Sequence, residues 1–176
     1  MAYLKRDSGD NHPVEIYYED KGSGTPIVFI HGWPLSGVMW EYQINDLLRD
    51  GYRCITYDRR GFGKSSRPSG GYDYDTMTDD LHALLEELDL QDVFLVGFSM
   101  GGGEVARYFT RHGGKRVTRA ALVSSVVPSI LKTESNPDGV PEKELNKTMD
   151  SIKKTASTSS QVLTKTSSES VSSVSR

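Results

Sequence analysis

Ser99 is the residue that its neighbours best equip for chemistry. It stands at the centre of Gly97-Phe98-Ser99-Met100-Gly101, after the apolar run Val93-Phe94-Leu95-Val96 and before a helix-compatible stretch. A strand that turns sharply into a helix holds the serine of the turn as an exposed nucleophile. Gly97 and Gly101 suit such a turn, because strand and helix backbones come close there and a side chain would obstruct them. The implied chemistry is acyl transfer. The hydroxyl attacks a carbonyl, and backbone N–H donors hold the negative oxygen of the tetrahedral intermediate. Met100, at the helix start, is expected to supply one donor of that oxyanion hole. The other is expected from the loop after Ile27-Val28-Phe29-Ile30, where Trp33 in His31-Gly32-Trp33-Pro34 is best placed.

The serine also needs a base, and in this arrangement the partners follow it in the order acid, then histidine. After Ser99 the only histidine is His112, and the only acid between them is Glu104. Both fall on the helix that leaves the turn. At about 1.5 Å of rise per residue, His112 lies roughly 20 Å along that helix, beyond the ~3 Å that proton transfer requires. His31 leaves two readings open: a base brought near the serine by adjacent strands, or a histidine that orders its own loop. The second is preferred. His82 borders an apolar helix stripe and His12 lies near the N-terminus, so both are read as structural or solvated. No general base is evident, and catalysis is expected to be impaired.

The elements that must position these residues alternate between strand and helix. Strands are expected at 14–18, 27–30, 53–57, 93–96 and 120–123, the last of them buried. Trp40, Ile44, Leu47 and Leu48 mark one amphipathic helix that Gly51 can end. Met77, Leu81, Leu84, Leu85 and Leu88 mark another, capped by Asp75 or Thr76, with Asp79 completing a capping box on Thr76. A third helix runs from the serine turn to about His112. The Gly-, Ser- and Pro-rich stretch from Arg59 to Tyr74 reads as a long surface loop. This order implies an α/β fold with a mostly parallel sheet flanked by helices. Past Pro128 the chain turns polar. Residues 151–176 hold ten Ser and four Thr and are expected to be a disordered tail.

The totals narrow the class. The chain has 176 residues, enough for one domain with a sizeable core. Net charge is −3, with 151–176 at +3 and the remainder at −6, and an acidic body argues against nucleic acid as a partner. No run approaches the ~20 apolar residues of a membrane span. The N-terminus has no apolar signal core, so a cytoplasmic location is expected. Cys54 is the single cysteine and sits in a strand pattern, so it is read as core. No Cys/His cluster has metal-site spacing, and no metal or cofactor is expected. Gly63-Lys64-Ser65 fails as a phosphate loop because position 58 is aspartate. Asn146-Lys147-Thr148 is a glycosylation sequon without a secretion signal.

Three segments occur in a telling order: His31-Gly32-Trp33-Pro34, Asp58-Arg59-Arg60-Gly61-Phe62-Gly63-Lys64-Ser65, and Gly97 through Tyr108. Together they closely resemble the α/β-hydrolase fold, and within it the cofactor-free (non-heme) haloperoxidases and related aryl esterases. Val126-Val127-Pro128, followed by Asp138-Gly139-Val140-Pro141, favours that subgroup. The resemblance covers about residues 12–145. It implies a hydrolase core over 1–128, the start of a lid over 129–150, and a truncated fold that lacks the last strands.

By position Ser99 matches the family nucleophile, and Trp33 and Met100 match its oxyanion-hole residues. The implied activity is hydrolysis of small acyl or aryl esters through an acyl-enzyme, without a cofactor. Peroxide could intercept that intermediate to give a peracid able to oxidise halide. A serine at this position argues against the dehalogenase and epoxide-hydrolase branches, which use aspartate. The chain departs from the family in lacking the late acid and histidine of the triad. An alternative is a non-catalytic interaction protein on this scaffold, pairing with a second copy through the open edge of strand 120–123.

Overall fold

The computed structural model describes residues 2–7, 13–127, 129–148 and 150–151. His12 and the Ser/Thr-rich stretch from 152 onward lie outside the described residues. The chain divides into two compact units, Met1–Pro128 and Ser129–Arg176. The first runs β1 (Ala2–Arg6), β2 (Val14–Lys21), β3 (Pro26–Ile30), a 3-10 turn (Gly37–Trp40), α1 (Glu41–Arg49) and β4 (Arg53–Tyr57). It continues with α2 (Tyr74–Glu87), β5 (Val93–Phe98), α3 (Met100–His112) and β6 (Val117–Val123).

The strands form one sheet in the order β1-β2-β4-β3-β5-β6. β3 lies parallel to both β4 and β5, and β6 is parallel to β5, whereas β1 and β2 join antiparallel. Successive side chains of a strand point to opposite faces, and β3 shows the result. Ile27 and Phe29 pack with Trp40, Ile44 and Cys54 under α1. Val28 and Ile30 pack on the other face with Leu81, Leu84 and Leu85 of α2 and Val105 and Tyr108 of α3. The sheet is therefore covered on both faces, which is why its central strands read as unbroken apolar runs.

Helix ends are set by local chemistry. At the end of α1 the Gly51 N–H reaches the Leu48 carbonyl at 3.1 Å, with Gly51 at φ +83°, a conformation open to glycine. The start of α2 differs from the expectation. Asp73, not Asp75 or Thr76, is the cap: its carboxylate accepts the Thr76 N–H at 2.8 Å and the Thr76 hydroxyl at 2.9 Å. Those bonds hold its carboxyl below the usual carboxylate range.

Two other expectations are corrected. The 59–74 stretch is not simply a surface loop, since Arg59, Arg60 and Ser65 are buried. Their side chains find partners inside, Arg60 on Asp80 at 2.7 Å and Ser65 accepting the Tyr17 N–H at 2.9 Å. The strand expected to be buried at 120–123 is largely exposed: Leu122 is 51% and Val123 41% accessible. β6 is the last strand of the sheet among the described residues, and its apolar run has no neighbour on that side.

In the second unit Leu131 and Val140 form an isolated bridge, and the Asn136 amide donates to the Ser129 carbonyl at 2.8 Å and the Leu131 carbonyl at 3.0 Å. Residues 142–148 are helical. Among the described residues no helix is long and apolar enough to cross a membrane.

Candidate active site

Ser99 sits between the end of β5 and the first residue of α3, at φ 51° and ψ −117°. Positive φ is costly for a residue with a side chain, and the surroundings impose it. The Ser99 N–H donates to the Val123 carbonyl at 3.0 Å, and its own carbonyl accepts the Gly102 N–H at 3.0 Å. The Ser125 hydroxyl, just beyond β6, donates to the Gly97 carbonyl at 3.1 Å. The elbow is thus tied on the β6 side as well as by its own helix.

The two glycines of the turn are at places of close backbone approach. A Cβ on Gly97 would lie 2.6 Å from the Gly101 carbonyl oxygen, and one on Gly101 would lie 2.5 Å from that of Ile30. The loop after β3 therefore runs directly against the elbow. At Gly32 a Cβ would come within 3.2 Å of the Ser99 Cβ. Trp33 follows and is 54% exposed. Met100 opens α3, where a helix leaves its first N–H groups without an intrahelical acceptor. Of the residues singled out in the sequence, Gly97, Gly101, Ser99 and Met100 lie on this turn and Trp33 on the adjoining loop.

The His31 ring hydrogen-bonds to groups other than Ser99. Its Nε2 accepts the backbone N–H of Arg59 at 3.1 Å, and its Nδ1 lies 2.8 Å from the Gly32 carbonyl oxygen. Those partners place the single proton of the neutral ring on Nδ1. Burial, with the charge of Arg59, pushes the pKa down to about 4. Both ring nitrogens are occupied in holding the loop.

Beneath that loop is a buried polar cluster that the sequence did not suggest. Arg59 and Glu104 have side chains 1% and 0% exposed, with Nη1 and Oε2 3.8 Å apart. Arg59 Nη2 donates to the His31 carbonyl, and the Tyr57 hydroxyl donates to Glu104 Oε1. Burial raises the Glu104 carboxyl to about 7, against the opposing pull of Arg59 and the Tyr57 hydrogen bond. Nothing in the spacing of these residues signals the cluster, since its members come from β4, the following loop and α3.

The remaining described histidines are remote from the elbow's hydroxyl by their partners. His112 Nε2 lies 2.9 Å from Asp79 Oδ1, and His82 Nδ1 lies 3.1 Å from the Tyr108 hydroxyl. The two rings stack on each other at 4.2 Å. Among the described residues no histidine is hydrogen-bonded to the Ser99 hydroxyl, and no cluster of His, Cys, Asp and Glu could hold a metal ion.

A family model described as the alpha/beta hydrolase fold matches residues 25–160. The chain belongs to the α/β-hydrolase family. Among curated relatives, the non-heme chloroperoxidase of Kitasatospora aureofaciens is 54% identical over 129 residues, covering 73% of this chain and 47% of that protein. The bifunctional esterase/perhydrolase of Acinetobacter calcoaceticus is 43% identical over 144 residues, covering 81% of this chain and 51% of that one. The crystal structure of a bromoperoxidase from Bacillus anthracis superposes with a TM-score of 0.75 at 55% identity, over 81% of this chain and 51% of the other. This α/β hydrolase spans about half the length of the curated relatives it matches.

Proposed function

We propose that this chain carries the nucleophile and oxyanion-binding part of a serine esterase or perhydrolase acting on small acyl or aryl esters. The observation that carries the reading is the close packing of the Gly32 backbone against the Ser99 side chain. It brings the loop bearing the Trp33 N–H alongside the N-terminus of α3. The Ser99 Oγ attacks the ester carbonyl, the carbonyl oxygen becomes the oxyanion, and the Trp33 and Met100 N–H groups hold it. Collapse expels the alcohol and leaves an acyl group on Oγ. Water then gives the carboxylic acid, or hydrogen peroxide gives the peracid, with Oγ leaving in its hydroxyl form. The similarity to an esterase/perhydrolase supports both outcomes.

The weak point of this site is proton transfer. His31 is engaged in the loop, and His82 and His112 are engaged with Tyr108 and Asp79. Both acylation and deacylation are therefore slow in this chain. An oxyanion hole and binding alone retain about 10³–10⁴-fold over water. The test is incubation with an aryl acetate, followed by peptide mass spectrometry. Acetyl on the Ser99 peptide, absent from Ser99→Ala, supports the reading, and a chain that releases the phenol without acetylating Ser99 overturns it.

The exposed β6 favours a second reading, in which two copies pair through that strand. Its outer backbone groups have no strand neighbour among the described residues, and Leu122 and Val123 are exposed beside them. An unpaired apolar edge seeks another strand. A defined dimer in sizing chromatography supports this reading, and a stable monomer counts against it.

A further inference from the structure

Building on the reading of Ser99, Trp33 and Met100 as an acylation site, we propose that Arg59, Glu104 and Tyr57 form a positioning brace. The brace fixes the loop that carries one oxyanion donor relative to the helix that carries the other. The two donors belong to different segments, so their separation is not set by any single element. Trp33 follows β3, and Met100 begins α3. An oxyanion hole works only when both N–H groups converge on one oxygen, at about 2.7–3.1 Å.

Arg59 reaches both segments. One arm of its guanidinium donates to the carbonyl of His31, and the other lies 3.8 Å from Glu104 Oε2 on α3. Tyr57, at the end of β4, holds the second oxygen of Glu104. The backbone N–H of Arg59 is in turn held by His31 Nε2 at 3.1 Å. Phe62 closes the cluster: its ring centroid is 5.4 Å from the Arg59 guanidinium carbon and 5.2 Å from the His31 ring. The loop is therefore gripped at its carbonyl and at its ring, and the grip ends on the helix of the nucleophile.

A role in folding alone does not account for this choice of residues. Burying an ion pair carries a desolvation cost that its attraction barely offsets, and an apolar set of similar volume often holds a fold as well or better. What the ionic set adds is direction. A planar guanidinium hydrogen-bonds the His31 carbonyl through one arm while the other faces Glu104 Oε2 at 3.8 Å, a charge contact without a hydrogen bond. A lysine ammonium has no second arm to aim in this way. The cluster also avoids the reacting face, so Arg59, Glu104 and Tyr57 act through the backbone of residues 31–33 and do not touch substrate.

The test combines amide hydrogen exchange on the full chain with fluorophosphonate labelling of Ser99, in the unaltered chain, Arg59→Lys and Tyr57→Phe. Arg59→Lys keeps the buried positive charge but removes the planar guanidinium, and Tyr57→Phe removes one hydrogen bond to Glu104 while leaving Arg59 and Glu104 in place. The reporters are the N–H at position 59, bound to His31, and the Leu35 N–H, bound to the Gly32 carbonyl at 3.0 Å. The control is the Leu90 N–H, bound to the Leu85 carbonyl at 2.9 Å.

In Arg59→Lys both reporters should exchange about 10-fold faster while Leu90 stays unchanged, as expected for local opening. The maximal labelling rate should fall about 10-fold at unchanged probe affinity, the mark of lost positioning rather than lost binding. Tyr57→Phe should show the same pattern at about 3-fold. Reporters and labelling rate unchanged in both variants would overturn the brace. Should Ser99 of the unaltered chain take no label, the nucleophile reading fails, and the exchange result alone decides the brace.

Discussion

His31 joins two segments through one ring: Nε2 accepts the Arg59 backbone N–H at 3.1 Å, and Nδ1 lies 2.8 Å from the Gly32 carbonyl oxygen. The neutral ring satisfies both contacts. A protonated ring would turn Nε2 into a donor facing another N–H, which is repulsive in a buried site. The histidine most easily mistaken for a base is therefore fixed as a loop anchor.

A pH dependence of stability follows. The His31 pKa falls from 6.5 to about 4 on folding. Between those values the unfolded chain binds more protons, so stability rises with pH, is complete above about 6.5 and is lost as pH falls toward 4. Across that window the unaltered chain should gain on the order of 3 kcal/mol relative to His31→Asn. Urea denaturation at a series of pH values measures the difference, and a flat difference would contradict the anchor.

Glu104 gives the opposite slope. Its carboxyl rises from 4.5 to about 7 on folding. The folded state then binds the extra proton, so its contribution is complete below about 4.5 and is lost as pH climbs through 7. Relative to Glu104→Gln, the unaltered chain should lose on the order of 3 kcal/mol over that range. The same denaturation series checks it, and a difference that rises with pH would refute the assignment.

The elbow itself should be strained. Ser99 has φ 51°, which glycine adopts freely. Ser99→Gly is expected to stabilise the chain by about 1 kcal/mol while abolishing acyl transfer. Gly101→Ala should act in the other sense, because its Cβ would sit 2.5 Å from the Ile30 carbonyl oxygen. A loss of about 1–3 kcal/mol is expected. Thermal unfolding of both variants tests the pair, and a destabilised Ser99→Gly would show that the turn is not under strain.

The edge of the sheet supplies a separate test. If β6 pairs with its counterpart in a second copy, Leu122→Lys places a charge beside the unpaired strand and should convert a dimer to a monomer. Sizing chromatography reads the change. An unaltered chain already monomeric at micromolar concentration would exclude the pairing.

The features legible in the sequence are local ones. Val93 through Gly101 displays strand, turn and helix within one window, so both the elbow and its nucleophile candidate are visible there. Ile27-Val28-Phe29-Ile30 and Arg53 through Tyr57 read as strands because the sheet buries both their faces. What escaped depends on distant partners. Arg59 lies in a stretch whose Gly, Ser and Pro content signals a loop, and its burial depends on distant partners, His31 after β3 and Glu104 on α3. The apolar run at 120–123 suggests a buried strand wherever it sits, whereas its exposure depends on the sheet order. Ala2–Arg6 has too little apolar pattern to be noticed, yet it pairs antiparallel with β2.

Fluorophosphonate labelling, followed over time at neutral pH and mapped by peptide mass spectrometry, tests the central claim most directly. That claim is a nucleophile held at the elbow by Ser99 with no described histidine hydrogen-bonded to it. The expected result is slow modification confined to Ser99, lost in Ser99→Ala and in the urea-denatured chain. Rapid, saturating labelling would show that a base does reach Ser99, and labelling no faster in the folded than in the denatured chain would show that the elbow confers nothing on it.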